Sequence, residues 1–409
     1  MRARNVLLAL VIIAVGMTMT ASRRGVFSGW KAATADWLGN IEDLEPLASK
    51  WRLAEGEWQQ ADRFPHDLPA AGVKWLTIRN PNGKVTVTGQ AQDSKIEMIK
   101  VVAVRYGRAK DFDQALYLSR RASLLSHRSD DSLTIEVRGP GDFWKKARMD
   151  LEVTALSGLN VAVYTASGSV EVENVRGSVA ITTASGDITI AGGSRAQVAS
   201  ASGSINIEGM EGPIEAKSVS GSLTLAGVQG EMKANTISGS IHGRGLRGPL
   251  SAETVSGDVA LDNYQGHPAT IQTTSGEVDA LLSRVALEGQ FSAHSVSGSI
   301  WVLVEPRSDC IVDVHSVSSG VRTEIGLPSS ANRGPNRVYG ALGDGRGRLE
   351  LRSISGSITV TEKGRRAEAE LPREVPEARE ELLRSREQLL RSVPPSTGTR
   401  PRPTTRHVR

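Results

Sequence analysis

Aromatic side chains make up only 4% of this 409-residue chain. A wide globular core needs large side chains to fill it, so this scarcity favours a thin fold packed with Val, Ile, Leu and Ala. There is one cysteine, Cys310, so no disulfide forms within the chain, and a lone Cys reads as buried packing. Neither sign of charge is in large excess. The net charge is +4, too diffuse to mark a nucleic-acid binder. Chemical motifs are missing as well. His242, His267, His294 and His315 show no metal-ligand spacing, and no further Cys assists them. No Ser sits in a G-x-S-x-G elbow. The glycine-rich Gly343-Asp344-Gly345-Arg346-Gly347 lacks the Lys-Ser/Thr of a phosphate-binding loop and reads as a flexible loop. These absences leave no cofactor and no metal to expect.

What the chain has is glycine, 42 residues of it, at regular intervals. Gly168, Gly186, Gly203, Gly221, Gly239, Gly257, Gly276 and Gly298 each follow a Ser, at spacings of 18, 17, 18, 18, 18, 19 and 22. Degenerate copies follow at Ser319-Gly320 and Ser355-Gly356. Two places after each regular Gly stands an aliphatic residue: Val170, Ile188, Ile205, Leu223, Ile241, Val259, Val278 and Ile300. Five places before stands a small or branched apolar one, from Val163 to Ala293. A second set of glycines, including Gly177, Gly212, Gly230 and Gly248, falls mid-repeat. Each repeat is therefore two short strands joined by two corners, with Gly (Gly356 included) as the structural turn because it accepts positive φ. One such unit cannot bury its apolar side alone. Stacking copies in parallel at about 4.8 Å does so, which predicts an all-β fold: a single parallel β-solenoid of ~18-residue coils.

Around the repeats the chain divides into segments. Residues 1–24 hold Arg2 and Arg4 before an apolar run from Val6 to about Met19, the pattern of a signal peptide or membrane anchor. The run is shorter than the roughly 20 residues that span a bilayer comfortably. Residues 25–70 carry Trp30, Trp37, Trp51 and Trp58, and read as a juxtamembrane or capping segment. The repeat domain covers 71–361, with regular coils over 160–305 and a flexible Gly/Arg-rich loop over 326–347. Strand-like alternation flanks the Asn82-Gly83 turn, and DFDQALYLSRRASLL (111–125) reads as a helix covering one edge. Residues 362–409 read as a charged helix, with Leu382, Leu383, Leu389 and Leu390 on one side, followed by a disordered basic tail. Arg400, Arg402, Arg406 and Arg409 in that tail suit contact with an anionic surface.

The recurring T-x-S-G-S/D-I-x-I pattern resembles a large bacterial family of candidate adhesins built on a domain of unknown function, and is similar to autotransporter-adhesin-like head domains. Ile78 to Val87 (IRNPNGKVTV) matches the opening I-N-x-N-G-x-I-x-V motif of that family. Gly343 to Gly347 and Ser355 to Val360 match its closing Gly-rich loop and last S-G-S-I strand. The resemblance covers about 72–361. It departs at Ala155-Leu156-Ser157-Gly158, where the family often places Pro, and in lengthened coils around 276–298. It implies a β-solenoid at the cell envelope and supplies no catalytic residue and no cofactor.

Solenoids do host carbohydrate-active enzymes, which need clustered acids. Asp187 and Asp258 lie four coils apart, roughly 19 Å, beyond the ~5–9.5 Å of a glycosidase pair. Asp258 and Glu277 stand on adjacent coils, but Ser, Asp and Glu alternate at this position as they would on a solvated corner. Three places before each Gly comes a hydroxyl (Thr165, Thr183, Ser200, Ser218, Thr236, Thr254, Thr273, Ser295). Two places before comes a mostly apolar residue (Ala166, Ala184, Ala201, Val219, Ile237, Val255, Thr274, Val296). The expected arrangement is apolar in and hydroxyl out; the reverse would leave a ridge for docking a partner. The function read from the sequence is that of a non-enzymatic, exported envelope protein, an adhesin-like rigid spacer or interaction surface. Its expected partner is an envelope protein or polymer, with membrane association and no nucleic acid. A solenoid carbohydrate-active enzyme and a ligand-sensing component of an envelope-stress system are the alternatives.

Overall fold

The computed structural model describes residues 57–90, 98–109, 111–140, 143–283 and 288–363. The apolar N-terminal run, Trp30, Trp37, Trp51, the 376–393 helix and the basic tail lie outside the described residues. No helix among the described residues is long and apolar enough to cross a membrane.

The described residues are all-β apart from one short α-helix and a 3₁₀ turn, and they form two large, mostly parallel sheets that do not close into a barrel. Every repeat gives one strand to each sheet. In the first sheet Ile188 faces Ile205, Ile205 faces Leu223, Leu223 faces Ile241 and Ile241 faces Val259. In the second, Val163, Ile181, Val198, Ala216, Ala234 and Ala252 form the matching ladder. Both ladders are fully buried and face each other across a narrow interior. Burying each Ile or Leu is worth about 1.5–3 kcal/mol, and the repeat sums this over every coil. Cys310 is buried in the same core.

The two ends depart from simple stacking. The first coil, Trp75–Asn82 and Val85–Gln90, sits between the strands Ser132–Arg138 and Ala147–Leu156 on one side and Asn160–Ser167 and Val170–Glu173 on the other. Asn82-Gly83 is thus the corner of a coil, its strands lying in different sheets. At the other end Gly347–Ser353 inserts between Gln290–Ser295 and Cys310–Ser316, and Ile358–Glu362 between Ile300–Val304 and Val321–Glu324. Each end coil is paired on both sides with chain distant in sequence.

Antiparallel strands cover three of the four sheet edges among the described residues, and the fourth is the parallel strand Val321–Glu324. Glu57–Pro65 pairs with Met98–Ala109, which pairs with Ala147–Leu156. The helix expected over 111–125 spans only Phe112–Ser119, capped by Asp111, whose carboxylate accepts from the Gln114 N–H at 2.8 Å. The remainder, Ser123–Ser129, is a strand paired with Ser132–Arg138. At Gly107 a Cβ would meet the Ala115 carbonyl at 2.1 Å, so this glycine lets the helix backbone settle on the strand. The 326–347 stretch, expected as a loop, carries the strand Arg337–Leu342, antiparallel to Cys310–Ser316. Its Gly and Pro content hid a strand whose Val338 packs inward.

The corner glycines also need a different reason from the expected one. Gly168 and Gly186 have φ of +142° and +144°, and the mid-repeat Gly212, Gly230 and Gly248 are positive too. From Gly203 to Gly298 the corner glycines are not in that region. What excludes a side chain there is the coil below: a Cβ on Gly221, Gly239, Gly257 or Gly298 would lie 1.6–2.0 Å from the carbonyl oxygen of the preceding corner glycine. The glycine ladder is a close approach of backbone to backbone.

Candidate interaction groove

The hydroxyl ladder faces inward. Thr165, Thr183, Ser200, Ser218, Thr236, Thr254, Thr273 and Ser295 are all buried, against the expected orientation. The corner explains it. Ser218, Ser295 and Ser353 accept from the N–H of the corner glycine three residues on, at 2.7–2.9 Å. Thr236, Thr254 and Thr273 donate to the corner-glycine carbonyl of the preceding coil, at 3.0–3.3 Å. A buried carbonyl without a partner is costly, so the hydroxyl goes where the backbone needs it. Thr165, Thr183 and Ser200 have no such partner.

The residue after each hydroxyl must then face out. In the N-terminal coils it is alanine, with Ala166 and Ala184 half-buried and Ala201 covered. In the C-terminal coils it is large. Ile237, Val255, Val296, Ile354 and Val317 are 41–57% exposed, with exposed Thr274 between Val255 and Val296. Backbone bonds fix their order. The carbonyls of Ile237, Val255, Thr274, Val296 and Ile354 accept from Ser256, Ser275, Ser297, Ser355 and Ser318 in turn. Six rungs thus form one continuous ridge, about 24 Å long at ~4.8 Å per rung.

Beside the ridge runs a polar ladder on the same face. Asn235 faces Glu253, Glu253 faces Gln272, Gln272 faces His294, His294 faces Arg352 and Arg352 faces His315. Together the ladder and the ridge from Val255 to Val317 line an open groove of about 570 Å³. No Phe, Tyr or Trp lines it. Arg352 is held in place: its Nε donates to Glu350 at 2.8 Å and its Nη2 to the buried Asp313 at 3.0 Å. That hydrogen bond keeps the Glu350 carboxyl below the usual carboxylate range. Arg348 and Arg337 approach Asp313 at 3.7 and 3.8 Å. The Oγ of Ser292 and Nε2 of His294 are 2.7 Å apart.

The sequence profile of the Toastrack DUF4097 family matches residues 73–244 and 247–361, the same coils that build the ridge and both sheets. The chain belongs to that family. Two solved structures are similar at low identity. One is a candidate cell adhesion protein from Clostridium sporogenes, at 10% identity over 74% of this chain and 99% of that chain, with a TM-score of 0.19. The other is a candidate adhesin from Bacteroides fragilis, at 15% identity over 73% of this chain and 97% of that chain, with a TM-score of 0.30. No curated protein matches.

The remaining candidates find structural uses in this Toastrack chain. Asp187 accepts from the Ser204 N–H and Asp258 from the Glu277 N–H, each at 2.9 Å, so these acids tie one corner to the next. A third acid, Asp279, lies near Glu277 and Asp258. Burial first, then those two carboxylates, push its pKa up to about 6. His242 lies on the first sheet, away from the groove, and burial lowers its pKa. His294 and His315 come together in the groove on either side of Arg352. The 343–347 stretch is anchored rather than open, because Asp309 accepts from the Arg346 N–H at 3.0 Å and from its Nε at 2.6 Å. Burial pushes the Cys310 thiol up to about 12, which leaves it inert packing.

The ridge escaped the sequence reading, although a signal was present. The hydroxyl position and the apolar position two residues earlier share a face on a strand. The earlier ladder was already assigned to the core, so the hydroxyls had to follow it inward.

Proposed function

We propose that this Toastrack protein is an exported, adhesin-like cell-envelope β-solenoid. It acts without catalysis, presenting the ridge and groove as a rigid surface to a partner. The observation carrying this reading is the outward ladder of Ile237, Val255, Thr274, Val296, Ile354 and Val317, apolar at five of its six rungs. The Ala at this position in the earlier coils supports it, because folding the corner does not require a large apolar residue there. Five of the ten exposed large hydrophobics among the described residues fall on this line. Exposed apolar strips of this kind mark interaction surfaces. Export is supported by Arg2, Arg4 and the following apolar run. The test is fractionation of the full chain, with external protease to report its side of the membrane. The wild type is expected with the envelope and accessible from outside. A Val255→Glu, Val296→Glu, Ile354→Glu variant is expected to melt normally yet lose envelope retention. Cytosolic recovery of the wild type would sink the export reading, and undiminished retention of the variant would sink the ridge as the binding surface.

A further inference from the structure

Resting on that reading, we infer that the occupant of the groove is an amphipathic α-helix of a partner protein, lying along the coil stack with acidic residues over the Arg352 end. Period is the first argument. Ridge residues recur at about 4.8 Å, and a helix advances about 5.4 Å per turn, so side chains one turn apart drift from the rungs by only about 0.6 Å per step. An extended chain places same-face side chains about 6.6–6.8 Å apart and drifts by about 2 Å per step. A helix of about 16 residues covers the six rungs at ~1.5 Å per residue. Its apolar stripe at i, i+4 and i+7 would seat between Ile237 and Val317, the mode by which amphipathic helices enter apolar grooves.

Charge is the second argument. The polar ladder is graded along its length: Asn235 and Glu253 stand at one end, His294, Arg352 and His315 at the other. Behind the second end, the ion pairs of Arg337, Arg348 and Arg352 among the described residues are with Asp313 and Glu350, three cations to two carboxylates. A helix with Asp or Glu at that end and a base over Glu253 is complementary. A sugar polymer is the poorer fit, because no Phe, Tyr or Trp lines the groove to stack on a sugar ring.

The test is photo-crosslinking from position 296 of the full chain in the intact envelope, followed by mapping of the crosslinked partner peptide. The expected peptide carries apolar residues at three- and four-residue spacing and acids at one end. A synthetic copy of it should bind the purified full chain. Val255→Glu should weaken that binding about tenfold or more, as should a Pro placed mid-peptide, and His315→Glu should weaken it less, with an effect that fades at high salt. A crosslink to glycan, lipid or a second copy of this chain would overturn the helix, as would no crosslink or a bound peptide indifferent to the Pro. Those results leave the envelope reading standing if the ridge variant still loses retention; unchanged retention removes both.

Discussion

At the residue scale, one glycine is not like another. Gly257 cannot hold a side chain, because a Cβ would lie 2.0 Å from the Gly239 carbonyl oxygen, whereas Gly158 has no atom within 4 Å of that position and no positive φ. Gly257→Ala should therefore cost about 3 kcal/mol or more, as overpacking against fixed backbone does. Gly158→Ala should be neutral or raise stability by up to about 1 kcal/mol through the unfolded chain. Chemical denaturation of the two variants checks the contrast, and equal losses would refute it. Asp279 supplies a pH test. Its pKa is about 6 in the fold against an ordinary 3.8, so the native state holds the proton more tightly than the unfolded chain. Stability then falls as pH rises from about 4 to about 6, and the loss persists above. Asp279→Asn should raise the melting temperature at pH 7.5 and leave it nearly unchanged at pH 4. Solvent screening of this half-buried group limits the gain to about 1 kcal/mol. The corner glycines and the aliphatic ladder were legible in the sequence because each occupies a fixed offset in the period. The reason for the glycines was not, because the clash that requires them is with a neighbour about 18 residues away and shows only once coils are stacked.

At the element scale, the middle of the array was easier to read than its margins. The strands Ile188–Gly193 through Ile241–Arg244 follow from period alone. Arg337–Leu342 alternates buried and exposed positions as an edge strand does, but it lies in a segment dense in Gly, Pro and Arg, and it pairs antiparallel where the repeat is parallel. Its role is to cover Cys310–Ser316, whose outer side would otherwise be an open edge able to recruit another chain. Replacing 331–342 with a Gly/Ser linker of equal length should yield concentration-dependent oligomers in size-exclusion chromatography. A variant that stays monomeric at high concentration would show that the edge needs no cover. The groove was half legible. His294 and His315 stood out as residues, yet nothing in their spacing announced that Arg352, 37 positions beyond His315, lies between them, since an inserted coil puts it there.

At the scale of the whole molecule, stacked repeats usually lose their outermost units first, because each unit leans on its neighbours alone and the last has only one. Here the first and last coils of the repeat are inner rungs, the first held between strands that all follow it in the chain and the last between strands that all precede it. Ending the chain after Leu342 should thus strip the partner from two coils at once, 290–304 and 310–324. The expected result is a drop in denaturant m-value larger than that for deleting one middle coil, with no intermediate in which the remainder is intact. A fully folded shortened chain would contradict this. The same tucked ends decide how such a protein changes length. Both end coils are tucked between other strands, whereas the interior repeats in register one after another, so an in-frame copy of 18 residues added mid-array finds the same glycine, hydroxyl and aliphatic neighbours it left. The stacked coils are a ruler, adjustable in the middle in steps of about 4.8 Å.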